Sequence, residues 1–596
     1  MFLTRPSIRC SARAFALAAL FACAPACSCS RDESAEPPAD DALPFRFLDA
    51  TRESGLAAFQ QVNGTADKFF VVESVGGGVA LFDPDQDGDL DAYLTNGSIL
   101  EGLELGKEPR DALFRNDGRG RFSDVTAECG LGDPRWTNGV RVVDLDGDGW
   151  SEMYLTNYGP NVLYRNRGDG TFADVTEAAG VGDPRWSTGA SFLDFDHDGD
   201  LDLYVANYLE FDEVAMLRDR PRGTMSGHSS ASAQSFEDVR VMKGPRGLSP
   251  ARDRFYLQEG PGRFRDASVE TGVDAQQLYG FQTVAFDADL DGWVDVYVGN
   301  DVLANLLWHN EAGTRFVDQA LVSGAALSGS GKPQGSMGVA LGDYDGDLLA
   351  DLYVTNFVED YSTLYRGRPA GTYLDVTARL GLVDPTWTRV AWGCGFVDFD
   401  SDGDQEIFAI NGHVYPQVDR FDLGTSYAQR NQLFTLEAGR YVTPEGEGGP
   451  GFDAARAGRG GAWGDVDGDG DLDLLVGNID GPPTLLCNDG PSGNWIKVLL
   501  VGVGGNRDAV GARLVIHVGE RRELRCVSSS GSFLSSSDLR EHFGLGTAAK
   551  ADELEVTWPN GRVERFADLA AGKLYTIEES FEGASTLRAR ELGVSH

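Results

Sequence analysis

An aspartate-rich nonapeptide of the form D-x-D-x-D-G-x-x-[DE] returns seven times along the chain, once with leucine in place of glycine. The copies are DPDQDGDLD from Asp83, DLDGDGWSE from Asp144, DFDHDGDLD from Asp194, DADLDGWVD from Asp287, DYDGDLLAD from Asp343, DFDSDGDQE from Asp398 and DVDGDGDLD from Asp465. Their starts lie 61, 50, 93, 56, 55 and 67 residues apart, the 93 being one interval plus an insertion at 209–253. A period of this length means one supersecondary unit per copy, with neighbours stacked to bury each other's apolar faces.

Each loop sits between two short apolar runs, such as GGGVALF before the first and AYLT after it, which reads as a hairpin. A third run follows, as in ALFRN (112–116), VLYRN (162–166) and NLLWHN (305–310). After a glycine-rich turn comes a fourth, as in GRFSDVT (120–126) and GTFADVT (170–176). Four strands per unit and seven units predict an all-β chain, a seven-bladed β-propeller, whose closed ring leaves no long exposed sheet edge. An asparagine stands thirteen residues past the first aspartate of every loop: 96, 157, 207, 300, 356, 411 and 478. Its amide suits bonding to nearby backbone at a turn, a structural role. Fourth-strand copies follow only the first six loops, at Phe122, Phe172, Phe264, Phe316, Tyr373 and Tyr441. The missing copy lies at the other end: FRFLDATRESGL (45–56) is similar to RFSDVTAECGL (121–131). The N-terminal segment is therefore expected to supply the outer strand of blade seven.

In each loop the carboxylates at positions 1, 3, 5 and 9 and the carbonyl at position 7 can converge on one cation. Hard oxygen donors in a flexible loop suit Ca²⁺ better than Mg²⁺. The expected ligands are Asp83, Asp85, Asp87 and Asp91; Asp144, Asp146, Asp148 and Glu152; Asp194, Asp196, Asp198 and Asp202; and Asp287, Asp289, Asp291 and Asp295. Asp343, Asp345, Asp347 and Asp351, then Asp398, Asp400, Asp402 and Glu406, then Asp465, Asp467, Asp469 and Asp473 complete the set, for up to seven Ca²⁺. Four carboxylates within nine residues repel one another without a cation. The formal charge of −42 thereby gains a local explanation, and with no basic face to balance it a nucleic-acid partner is excluded. Leu348 holds the glycine position of the fifth loop, where a side chain either strains or distorts the turn, so this site is expected to be the weakest.

The N-terminus reads as an export signal (1–27): Arg5, Arg9 and Arg13 precede the apolar stretch AFALAALFACAPA, too short to span a bilayer. Leu20, Phe21, Ala22 and Cys23 resemble a lipobox that would lipidate Cys23; Cys27 and plain cleavage are the alternatives. Membrane contact is expected through that anchor alone. Residues 28–44 form an acidic tether, 45–490 the propeller, 491–582 a small β-rich domain and 583–596 a tail. Cys129, Cys394, Cys487 and Cys526 show no metal-binding spacing and read as buried thiols or one incidental disulfide.

The loops resemble FG-GAP and VCBS repeats, the blades of integrin α-chain propellers. NRDAVGARLVI (506–516), SSSGSFLSSSDLREHFGLG (528–546) and ELEVTWPNGRVERF (553–566) resemble the ASPIC/UnbV domain. The combination is the layout of the cartilage acidic protein family, and the resemblance covers roughly residues 45–582. It implies secretion, calcium binding and an adhesive or matrix-binding role, without a reaction or a ligand. Asn506, Arg507 and Asp508 read either as a polar site or as a turn. Opposite the calcium loops, a ligand face is expected from Trp136, Tyr158, Trp186, Tyr208, Trp387 and His413, which suit a sugar or a peptide; the alternative is that the tryptophans cover blade junctions. The function expected is surface binding or adhesion to a protein or glycan. The competing class is a calcium-dependent polysaccharide-acting enzyme such as a lyase, for which His413 with Arg389 is the nearest candidate pair.

Overall fold

Alternating apolar runs and turn residues fold as four-stranded sheets, antiparallel throughout except for the parallel pair Asn494–Val501 and Lys573–Glu578. The computed structural model describes residues 45–98, 109–210, 242, 244–581 and 583–591. The export signal, Cys23, the tether and most of the insertion lie outside the described residues. Among those residues there are nine four-stranded sheets, seven of them within 45–490. The second is representative. Strand A (Thr137–Val143) leads through the Asp-rich loop into strand B (Glu152–Asn157), then C (Val162–Asn166) and D (Phe172–Asp174), each paired antiparallel with the one before. Strands A and B are buried at every position, because a neighbouring sheet covers each of their faces, whereas strand D buries only Phe172.

The A strands of successive sheets pack side by side, and Val79–Phe82 of the first meets Gly458–Gly464 of the seventh, so the order closes on itself in a propeller-like cycle. One apolar cluster fills each junction. Phe82, Tyr93, Val142 and Met153 join sheets one and two, and Phe47, Phe399, Phe408 and Leu474 join six and seven. The seventh sheet is completed by Phe47–Asp49, whose residues pair with Asn488, Cys487 and Leu486. This is the latch that the missing fourth strand calls for.

Residues 494–591 form two further sheets. One holds Glu541–Gly546, Asn494–Val501, Lys573–Glu578 and Thr586–Glu591; the other holds Arg521–Cys526, Arg513–Val518, Lys550–Thr557 and Val563–Ala570. Thr586–Glu591, read from sequence as tail, is thus an edge strand paired along its length with Lys573–Glu578. The four cysteines Cys129, Cys394, Cys487 and Cys526 are free thiols.

This C-terminal domain sits on the loop face of the ring and sends the serine-rich segment 528–537 down its centre. Ser529 Oγ accepts the Phe192 amide (2.9 Å), and Ser532 Oγ accepts the Cys394 amide (3.3 Å). The Val339 amide donates to Ser532 O (2.9 Å), and that of Val140 to Leu534 O (3.1 Å). The amides of Val79 and Trp463 donate to Ser535 Oγ and Ser537 Oγ (3.2 and 3.3 Å), while Gln282 Nε2 donates to Gly531 O (3.1 Å). Those partners belong to the A strands of all seven sheets. Glycines make the approach feasible: a Cβ on Gly78 would lie 2.2 Å from Leu534 O, and one on Gly460 2.4 Å from Ser535 Oγ. Arg141, fully buried, donates to the carbonyls of Ala190 and Ser535 and to Gln282 Oε1, which secures the segment from the ring side.

Candidate metal sites and the face opposite

All seven loops share one backbone design. The amide at position 6 donates to the first aspartate, at 2.7–3.1 Å from Gly88, Gly149, Gly292, Leu348, Gly403 and Gly470, and Gly199 does the same for Asp194. The amide at position 2 donates to the position-9 carboxylate in six loops, from Leu145, Phe195, Ala288, Tyr344, Phe399 and Val466 at 2.8–3.1 Å. The position-6 residue has positive φ in every loop, and so does position 4, including Gln86, His197, Leu290 and Ser401. The position-4 requirement escapes sequence reading because non-glycine residues meet it.

The expected ligands come together loop by loop. Ligand atoms of Asp83, Asp85 and Asp87 lie within 4.8 Å of one another, as do those of Asp144, Asp146 and Glu152, and of Asp194, Asp196 and Asp198. Several carboxylate oxygens in these clusters are buried without a hydrogen-bond partner: Asp83 Oδ1, Asp91 Oδ2, Glu152 Oε1, Asp194 Oδ1 and Asp467 Oδ1. Asp91, Glu152 and Asp194 are only 2%, 3% and 8% exposed. Asp91 is orphaned for a legible reason: Pro84 at position 2 has no amide to give it. Burial first, then the neighbouring carboxylates, push Asp91 up to about 8, Glu152 to about 9 and Asp194 to about 7. Such groups would take up protons unless a cation supplied the missing charge. An oxygen-only cage of orphaned carboxylates fits a hard divalent cation. Asp85, Asp87, Asp148, Asp198 and the corresponding acids of the other loops line the outer, more exposed side of each cluster.

The repeated asparagines brace the ring as expected. Asn157, Asn300, Asn356 and Asn478 each donate from Nδ2 to a carbonyl in the connection to strand C, Pro160, Ala304, Tyr361 and Pro482, at 2.7–3.0 Å. A second set was not singled out from sequence. Asn116, Asn166, Asn310 and Asn488, at the ends of C strands, donate to the position-2 carbonyl of the preceding blade's loop: Val466, Pro84, Phe195 and Phe399, at 2.7–2.9 Å. The signal was the N that closes ALFRN, VLYRN, LLWHN and TLLCN. These asparagines tie four of the seven loops, the first, third, sixth and seventh, to the next sheet.

The C-terminal domain rests directly on the loops. Lys497 Nζ lies 2.5 Å from Asp465 Oδ2, Asp508 accepts the Asp144 amide at 2.7 Å, and the amides of Gly505 and Asn506 donate to Gly199 O at 3.0 Å. Arg513 reaches Leu348 O (2.9 Å), Arg540 reaches Gly88 O (3.0 Å), and the Gly493 amide reaches Asp400 O (2.7 Å). Asn506 also closes its own turn through Val510, so Asn506–Asp508 is both a turn and a docking contact.

On the opposite face, most of the expected ligand residues are core. Trp136, Trp186, Tyr208 and His413 are buried, Tyr158 is half-buried, and only Trp387 is open, at 44% exposed. Trp136, Tyr158, Trp186 and Tyr208 form an edge-to-face ladder with centroids 5.0–5.8 Å apart, and it joins a cluster containing Phe533 and Leu534 of the inserted segment. The aromatics read as sugar platforms therefore close the far end of the ring's centre over the tip of that segment. His413 Nδ1 accepts the Tyr415 amide at 3.0 Å, and burial with nearby Arg459 lowers the ring to about 3. The ring therefore stays uncharged near neutrality with Nδ1 engaged by the Tyr415 amide, and burial lowers the Arg389 guanidinium separately.

The ASPIC and UnbV family profile matches residues 502–583, and the FG-GAP-like repeat profile matches 83–155, 144–205 and 287–354. Cartilage acidic protein 1 of Homo sapiens is 27% identical over 336 residues, 54% of this chain and 47% of that protein. The Mus musculus protein is 28% identical over 281 residues, 45% of this chain and 40% of its own length. The matched part spans less than half of either relative. A solved lectin of Agrocybe aegerita, described as recognising non-reducing terminal N-acetylglucosamine, aligns at 13% identity over 69% of this chain and 94% of its own. Its TM-score is 0.33, too weak a likeness to carry any argument. The chain thus carries FG-GAP-like repeats and an ASPIC and UnbV domain, and over about half of its length it is similar to the cartilage acidic proteins.

Proposed function

We propose that this chain is a seven-bladed propeller that holds calcium in its A–B loops and acts outside the cytoplasm as a binding or adhesion module for a protein or glycan. The observation that carries the calcium reading is the set of buried, unpartnered carboxylate oxygens, Asp91 Oδ2, Glu152 Oε1 and Asp194 Oδ1, in three of the loops. A buried polar atom without a partner is costly, and a cation among four acids removes that cost in each loop. Up to seven Ca²⁺ would be held by the twenty-eight acids named above. The propeller would span 45–490, followed by the C-terminal domain, with export through the N-terminal signal and lipidation at Cys23, at Cys27 or not at all. The kinship with the cartilage acidic proteins supports an extracellular setting.

The partner would meet the side of the ring away from the C-terminal domain, where Trp387 and Tyr158 retain exposure. The pair of His413 with Arg389 does not favour the lyase reading, since His413 is enclosed. A glycan and matrix-protein array, run with calcium and with EDTA, tests the assignment alongside calorimetric titration of calcium. Chelator-sensitive capture and several bound calcium ions are expected; a chain that binds no calcium at millimolar concentration overturns the reading.

A further inference from the structure

The seven loops share a backbone, but one side chain facing each of them differs. Strand C presents a residue at the same register in every sheet, one place after the partner of the residue following position 9: Arg115, Arg165, Leu257, His309, Arg366, Thr435 and Cys487. In three loops it is an arginine bonded to the cluster. Arg115 Nε lies 3.1 Å from Asp85 Oδ2. Arg165 Nη2 lies 2.6 Å from Asp146 and 3.1 Å from Asp148. Arg366 lies 2.7 Å from Asp345 and 2.9 Å from Asp347. Loops three and six have Leu257 and Thr435 instead, with no charge; Thr435 Oγ1 donates to Glu406 Oε1 at 3.4 Å, which shows that this position faces the cluster.

We propose that this strand-C residue grades the calcium sites: loops one, two and five, under an arginine, are weak, rapidly exchanging sites, and loops three and six, where the residue is uncharged, bind more tightly. Loops four and seven, where His309 lies 3.2 Å from Asp295 and Lys497 2.5 Å from Asp465, stand outside this comparison. The inference rests on the calcium reading above. A guanidinium on the carboxylates at positions 3 and 5 lowers the charge offered to a divalent cation by one in four and occupies oxygen lone pairs that would face it. An opposing effect, ordering of the loop before metal binds, is small here. Outside loop one, where Pro84 has no amide, the position-6 and position-2 amides already hold the turn in loops with arginine (two and five) and without it (six). The arginine side chains are 33–48% exposed, so solvent screens part of the repulsion and the expected difference is roughly three- to tenfold per site. Loop two makes the division of labour visible: Arg165 holds Asp146 and Asp148 from outside, while Glu152 Oε1 is left unpartnered and buried within.

Calcium binding to the full chain would be followed by equilibrium dialysis with radioactive calcium and by calorimetry. Wild type should show at least two affinity classes. The Arg115→Gln, Arg165→Gln, Arg366→Gln triple variant should tighten the weak class roughly three- to tenfold without changing the number of ions bound. Leu257→Arg should move one ion from the tight to the weak class, and it tests the idea independently if the triple variant does not fold. Unchanged or weaker binding in a folded triple variant, together with a Leu257→Arg protein that binds as wild type does, overturns the proposal, as does one uniform class in wild type. A wild type that binds no calcium brings down the calcium reading itself, a separate outcome.

Discussion

The Asp-rich loops lie on one face of the ring and the serine-rich segment 528–537 runs from that face down its centre, yet they hold it together by opposite means. The loops recur, each a self-contained cage of carboxylates on a turn whose amides point inward. The segment occurs once, and its serines and carbonyls bond the backbone amides of strands 74 or more residues away in sequence. On the calcium reading, charge repulsion would make the loops depend on a cation, whereas the segment depends on packing of Phe533 and Leu534 and on neutral hydrogen bonds. The two supports should therefore fail under different insults.

Removing the cation should have the largest effect. Ligands that bind only the native state stabilise it by about 2.7 kcal/mol per site at a hundredfold excess over Kd. Several such sites in a chain of this size correspond to a melting-temperature loss on the order of 10 °C in excess chelator. Scanning calorimetry with calcium and with EDTA measures it. Coincident curves would remove calcium as a support of the fold.

Phe533→Ala attacks the other support. Phe533 is fully buried against Trp392 and Phe281, with ring centroids 4.9 and 5.9 Å away, and its truncation should cost roughly 3–5 kcal/mol in denaturant unfolding. The number of calcium ions bound should stay the same. A variant that loses calcium along with stability would show that loops and segment are one cooperative device, and the contrast drawn above would collapse.

How far each region can be read from sequence follows the same division. The carboxylate spacing, the seven hairpins and the recurring asparagines are side-chain patterns that repeat, so the ring and its candidate ligands were legible. The latch was legible too, because FRFLDATRESGL copies a strand found elsewhere. SSSGSFLSSS carried no such mark: its partners are main-chain amides, which every residue possesses, and room for it comes from Gly78 and Gly460. The same blindness left Trp136, Trp186 and Tyr208 open between a ligand face and covered blade junctions. Their burial depends on Phe533 and Leu534 arriving from a part of the chain more than three hundred residues away.

The latch gives an intermediate test. Phe47 is buried, edge-on to Phe399 and Phe452 at 5.0 and 5.3 Å. Phe47→Ala should cost about 3 kcal/mol, toward the low end for a core phenylalanine because an outer strand has room to settle inward. Limited proteolysis should then cut first in the seventh sheet. Cleavage elsewhere, with stability unchanged, would mean that the ring closes without its N-terminal strand.

The smallest effect should come from the one loop that departs from the repeat. Leu348 preserves the turn, since its amide donates to Asp343 Oδ2 at 3.0 Å as the glycines do to their own first aspartates. It does so at φ 67°, whereas the six glycines at this position lie between 90° and 105°. A side chain in the left-handed region costs about 1–2 kcal/mol, while glycine recovers that at an entropic cost of about 1 kcal/mol in the unfolded chain. Leu348→Gly should therefore change metal-free stability by less than about 1 kcal/mol. Its calcium affinity should respond more clearly, because the neighbouring position-7 carbonyl is freed to turn with the backbone toward the geometry of the other six loops. Arg366 stays in place in this variant, so the gain at loop five should be smaller than the one from removing its guanidinium. Calcium occupancies refined loop by loop from crystals grown at limiting calcium would measure both. A wild-type fifth loop that fills as early as loop three would sink the argument, because neither the strained backbone nor the arginine would then be weakening the site.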